Sequence, residues 1–279
     1  MGIGKRGRAA ALLSVLLLTS RAFATVVAYD DAADTQYTPG IYHNFNGGFG
    51  LAAWSTNGFP FGANPSLQEF VATSTLNGPG GPDIDTSGVA WGNNAQPTGN
   101  TFLARRSLLS DLAVGGTYAI SYDGGDVDGQ ETLSWGLNSK AMCQFYFNAA
   151  VASGHYQFYD ALSNTTSDTG ILQTFGGLRL TLTRDSASTY TFAAVRLSDS
   201  LSFNIGPLAY NTTAIPGIRT INLSNADGGA GGGHAMYLNA IEATALPEPA
   251  PAGAGAVLVA SCRFVVRRRR PLRPPLHRR

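Results

Sequence analysis

Four carboxylates fall within nine residues in the run Asp123-Gly124-Gly125-Asp126-Val127-Asp128-Gly129-Gln130-Glu131. Acids this close together, with glycines that let the chain turn tightly, could supply hard oxygen ligands to Ca²⁺ through Asp123, Asp126, Asp128 and Glu131. The spacing is not that of an EF-hand loop, because Gly125 and Val127 stand where the second and third acids should be. A solvated hairpin loop accounts for the run equally well. Aromatic rings are the second feature. Trp54, Trp91 and Trp135, with Tyr146, Tyr156 and Tyr159, could stack on sugar rings beside Asn and Asp, or they could fill a core.

No catalytic set emerges. Residues 25–245 hold three glutamates, Glu69, Glu131 and Glu242, whereas glycosidases need two carboxylates flanking one bond. The Glu-x-Asp-x-x-Glu pattern of concanavalin-A-like glucanases is absent around all three. There is no Gly-x-Ser-x-Gly elbow, no His-Glu-x-x-His zinc motif and no phosphate-binding Gly-x4-Gly-Lys-Ser/Thr loop. His43, His155 and His234 stand singly, and Cys143 has no base near it in sequence. The sequence predicts a non-enzymatic protein with no required cofactor.

These residues must be positioned by strands. Tyr118–Tyr122, Thr132–Leu137, Gln144–Phe147, His155–Tyr159, Leu178–Thr183, Thr189–Phe192, Ile218–Leu223 and Ala235–Ala243 are short and alternating, with many aromatic or β-branched residues. Turn clusters separate them, among them Asn138-Ser139, Ser153-Gly154, Arg184-Asp185-Ser186 and Asp227-Gly228-Gly229. Strands recurring every 10–15 residues without a 3.6-residue period predict an all-β fold, an antiparallel β-sandwich of jelly-roll type over residues 25–245. Cys143 is the single cysteine of that span, so no intrachain disulfide is expected there.

The charge is distributed in blocks. The net charge of +1 hides +4 over residues 1–24, −10 over 25–245 and +7 over 246–279. An acidic body repels phosphate backbones, which argues against a nucleic-acid partner. Lys5, Arg6 and Arg8 precede the apolar run Ala9–Thr19, and Ala22-Phe23-Ala24 supplies a small-x-small cleavage site. Residues 1–24 therefore predict a signal helix removed by a general signal peptidase, with Ala22 and Ala24 as the small residues of the cleavage site. At the other end Pro247-Glu248-Pro249 precedes the apolar stretch Ala250–Val266 and the cluster Arg267-Arg268-Arg269-Arg270. An apolar helix closed by arginines reads as a stop-transfer segment with its basic side in the cytoplasm. Arg263 interrupts it and must snorkel to that side. A plain tail anchor and a disordered basic tail are the other readings. Residues 271–279 form a basic Pro/Arg extension.

The arrangement over 246–270 resembles the PEP-CTERM sorting signal of bacterial surface proteins. That resemblance implies recognition of Pro247, Glu248 and Pro249 by an exosortase-like membrane transpeptidase. The body would then be transiently membrane-anchored and afterwards lie at the cell surface or in the extracellular matrix. The segments Ala28–Asp34, Asp83–Gly92 and Asp168-Thr169-Gly170 resemble an uncharacterised family of exported bacterial proteins with concanavalin-A-like bodies. Two functions are expected on these grounds. One is a non-enzymatic surface or matrix protein; the other is a lectin-like module that binds extracellular polysaccharide.

Overall fold

The computed structural model describes residues 24–37, 41–60, 67–77, 84–96, 99–125, 127–229 and 232–246. The proposed signal helix, Asp126, Pro247-Glu248-Pro249, the apolar C-terminal helix and Arg267–Arg270 lie outside the described residues, apart from Ala24, which is exposed at the start of the first strand. Among the described residues no helix is long and apolar enough to cross a membrane.

Two sheets make up the fold. The nine-stranded sheet runs β14 (Ser202–Ala209), β13 (Thr189–Arg196), β12 (Leu178–Arg184), β7 (Thr117–Gly124), β16 (Met236–Ala245), β5 (Ala90–Ala95), β4 (Leu67–Ala72) and β3 (Phe59–Pro60), with β1 (Thr25–Asp30) also paired to β16. The seven-stranded sheet runs β11 (Thr165–Leu172), β10 (His155–Asp160), β9 (Lys140–Asn148), β8 (Gln130–Leu137), β15 (Thr220–Ala226), β6 (Thr101–Ser107) and β2 (Ser55–Thr56). All pairings are antiparallel except the short β3–β4 contact.

Alternation decides which residues enter the core. In β12, Leu178, Leu180 and Leu182 are fully buried while Arg179 and Thr181 are half-buried on the other face. The loop to β13 follows from its own chemistry. Ser186 Oγ accepts from the Thr189 and Ser188 amides at 3.0 and 3.1 Å, closing the turn expected around Asp185. Between the sheets, rings from opposite layers interlock. Trp135 of β8 meets Phe192 of β13 at 5.3 Å between centroids, Phe158 of β10 meets Phe192 at 4.9 Å, and Phe145 of β9 meets Tyr122 of β7 at 6.3 Å.

The two outer faces differ, and that difference positions the site. Part of the nine-stranded sheet is covered by the segment around the 3₁₀ turn Ser74–Asn77 and by Ile84–Val89. Phe70, Ile84, Ala90, Ala235 and Tyr237 form a second, smaller core beneath that segment. Asn239 pins it to the sheet, with Nδ2 donating to the carbonyls of Ile84 and Val89 at 3.0 and 2.9 Å. The outer face of the seven-stranded sheet instead carries open depressions.

At the sheet edge Thr25 of β1 is registered against Ala245 of β16. The first and last strand residues are therefore neighbours.

Candidate functional site

The described acids of the run, Asp123, Asp128 and Glu131, lie in three different surroundings. Asp123, next to last in β7, lies on the face away from the sandwich interior, registered against Tyr237 and buried with it. Asp128 is largely exposed, 4.0 Å from His234 Nδ1. Glu131 points into the interior from β8, is fully buried, and accepts from the Tyr122 hydroxyl at 2.6 Å. Burial pushes its carboxyl well above the ordinary range; the Tyr122 hydrogen bond opposes this and the charge of Asp123 adds to it. Among the described residues no group of three or more His, Cys, Asp or Glu side chains is arranged to hold a metal ion.

The raised Glu131 carboxyl has a measurable consequence. A carboxyl whose folded value is raised stabilises the protein most below its unfolded value, about 4.3. That contribution is lost as the pH rises above it. Glu131→Gln keeps the shape and cannot ionise. The variant is expected to be more stable than the parent at pH 8, because burial raises the Glu131 carboxyl and ionising it in the folded protein is costly. The gain should vanish near pH 4. Urea melts at pH 4, 6 and 8 check this, and parallel curves for the two proteins contradict it.

The structure corrects the tryptophan platform. Trp54, Trp91 and Trp135 are 1, 0 and 0% exposed. Trp54 and Trp91 pack edge to face at 5.1 Å, and the Arg106 guanidinium lies 5.4 Å from the Trp54 ring. A ring can stack on sugar only when one face is open, and these three are enclosed, Trp91 and Trp135 by the alternation of β5 and β8 and Trp54 in the segment before β2. Tyr156 is buried with them, whereas Tyr146 and Tyr159 are half-buried on the outer face of the seven-stranded sheet. Cys143 is fully buried and its thiol is pushed up by burial, a core residue rather than a nucleophile. His155 pairs with Asp168 at 2.9 Å at the sheet edge, and His43 Nδ1 lies 2.9 Å from Thr56 Oγ1.

Sequence spacing missed the feature that strand order assembles. On the outer face of the seven-stranded sheet, two rows of side chains cross six or more strands in direct register. The first is Ser55, Arg105, Asn222, Ser134, Gln144, Tyr159 and Thr166. The second is Leu103, Ser224, Thr132, Tyr146, Gln157 and Asp168. Ser55, Arg105, Asn222, Ser134 and Gln144 of the first row and Leu103, Ser224 and Thr132 of the second line two adjoining depressions of about 400 and 290 Å³, which share Leu103, Ser134, Gln144, Asn222 and Leu223. Leu103 is half exposed and offers an apolar surface between the polar rows. The lining contains no Asp, Glu, His, Cys or Lys, and Arg105 is its single charged side chain.

Hydroxyls and amides spaced at the strand interval of about 4.8 Å present donors and acceptors over a long, nearly uncharged trough. Such a trough can hold an extended molecule rich in hydroxyls.

No family model matches the chain, and no curated protein does. Solved structures similar to it include lectin II from Ulex europaeus, 10% identical with a TM-score of 0.37 over 68% of this chain and 96% of that one. Peanut lectin is 13% identical with a TM-score of 0.38 over 71% and 100%. A carbohydrate esterase from Shiga toxin-encoding bacteriophage phi24B is 8% identical with a TM-score of 0.45 over 80% and 100%. At TM-scores below 0.5 these likenesses assign no function to the chain.

Proposed function

We propose that this protein is an exported, non-enzymatic carbohydrate-binding module that lays an extended glycan along the outer face of its seven-stranded sheet. The trough carries this reading. Its Ser, Thr, Asn and Gln side chains match the hydroxyls of a sugar chain, and Leu103 can meet the apolar C–H face of a ring. The absence of carboxylates from its lining separates it from glycosidase sites, which work with two. The sandwich would then be of the concanavalin-A-like, jelly-roll type.

Export and sorting belong to the same proposal. A signal peptidase would cut after Ala24 and an exosortase-like transpeptidase would act at Pro247, Glu248 and Pro249, delivering the body to the cell surface or an exopolysaccharide matrix. Thr25 of β1 pairs with Ala245 of β16, so the described body begins and ends on neighbouring strands.

Pull-down with insoluble polysaccharides, followed by titration calorimetry with soluble fragments, tests the reading. Ser224 lies in the second row on the open face, so Ser224→Trp fills the trough with a residue that sheets accommodate well. The variant should melt like the parent and bind at least about tenfold more weakly, ~1.4 kcal/mol. Binding by neither protein, or equal binding by both, overturns the proposal.

A further inference from the structure

Residues 25–245 contain seven basic side chains among seventeen acidic ones. Arg106, Arg179, Arg196 and Arg219 each pair with a carboxylate. Arg184 donates to the carbonyls of Leu112 and Ser186 at 2.6 and 3.3 Å. Lys140 is exposed at the start of β9.

Arg105 is held differently. It is half-buried in the wall of the trough. Its Nε donates to Asn222 Oδ1 at 3.0 Å, and no carboxylate among the described residues lies within ion-pair distance of it. The acid that shares its sheet face, Asp168, stands five strands away, roughly 24 Å at about 4.8 Å per strand, and is occupied by His155.

In a body this acidic, a partly desolvated guanidinium without a counter-charge is conspicuous. Removing water from a cation costs free energy that a facing anion recovers. Asn222 fixes the side chain by one nitrogen and leaves the two Nη groups, a planar fork whose geometry suits a carboxylate bidentately. The remaining lining is neutral, so a chain bearing one negative group at this point and hydroxyls elsewhere fits it.

We infer that the trough selects an acidic polysaccharide and that Arg105 receives the carboxylate of one uronic acid residue. This rests on the glycan-binding reading above and specifies the class of glycan. The acidic body opposes approach of a polyanion at long range, so the preference is expected to come from the docked pair rather than from steering.

The test compares polygalacturonate with the same polymer after its carboxyls are reduced to alcohols, each titrated into the full-length protein and into Arg105→Gln and Arg105→Lys. The parent should bind the acidic polymer at least about tenfold more tightly than the reduced one. Arg105→Gln, with an unchanged melting curve, should lose that preference and bind the two polymers alike. Arg105→Lys should restore part of the preference. Equal affinity of the parent for both polymers, or a preference that survives in Arg105→Gln, overturns the assignment while leaving the trough a neutral-glycan site. Binding of neither these polymers nor any neutral glycan overturns the assignment together with the binding reading itself.

Discussion

Replacing Arg106 with Met is expected to destabilise the protein by about 3–5 kcal/mol at pH 7.5. For a domain of this size, that lowers the melting temperature by on the order of 10 °C. Arg106 and Asp30 are both fully buried, and Nη2 of the arginine donates to Asp30 Oδ2. The same guanidinium donates to Asn46 Oδ1 at 2.6 Å and to the Phe45 carbonyl at 3.2 Å, while the Tyr37 hydroxyl donates to Asp30. Truncating the arginine leaves a buried carboxylate without its cation, which costs far more than the pair contributes when intact. The partner substitution separates the two effects. In Asp30→Leu/Arg106→Met both charges are gone, and most of the lost stability should return.

The pH dependence follows with its sign. Burial outweighs the neighbouring arginine and raises the Asp30 carboxyl to about 6. A raised acid favours the folded state at low pH and loses that advantage as pH climbs through its folded value. Without Arg106 the value rises further. The Arg106→Met penalty should therefore be smaller at pH 5 than at pH 7.5. Denaturant melts at both values decide the matter, and a loss under about 1 kcal/mol at pH 7.5 contradicts the account.

Trp135→Ala is expected to cost about 3–5 kcal/mol, the range for emptying a buried aromatic site. Trp135 has no exposed surface and packs edge to face on Phe192 across the sandwich. It sits one residue from Ser134, whose side chain faces the trough. A role in stacking on sugar predicts lost binding from a protein that remains stable; a role in packing predicts the reverse. Trp135→Phe, which keeps most of the volume, should fold and bind glycan with nearly parental affinity. A stable Trp135→Ala protein that has lost binding contradicts the core assignment.

Much of the architecture was legible because alternation is a local signal. Leu178-x-Leu180-x-Leu182 and Tyr118-x-Ile120-x-Tyr122 announced both strand and facing, and the structure buries each of these side chains. The same rule reaches Trp135, which shares parity with Leu133. Its aromatic character, read alone, left sugar stacking and core packing both open. Other strands were obscured by their own residues. β14 carries Gly206-Pro207 and is exposed along most of its length, β11 carries Gly170, and β5 buries Asn93 and Asn94 on opposite faces. In each, residues that usually mark turns or surfaces are held in place by neighbouring strands.

The trough lay beyond local reading for a different reason. Arg105, Asn222, Ser134 and Gln144 are adjacent because β6, β15, β8 and β9 are adjacent. No spacing along the chain encodes that order. The doublet Arg105-Arg106 shows the consequence in miniature. In sequence it is a basic pair, and in the sheet its members face opposite sides, one closed into an ion pair with Asp30 and one opened to the trough.

Amide NMR mapping of the protein against a polysaccharide fragment retained in the pull-down tests the binding claim most directly. Shift changes that saturate with added glycan should concentrate at Leu103, Arg105, Ser134, Gln144, Asn222 and Ser224. The segment covering the nine-stranded sheet, Ser74–Asn77 and Ile84–Val89, should be unaffected. Changes clustered on that opposite face, or no change at any glycan concentration, would contradict the account.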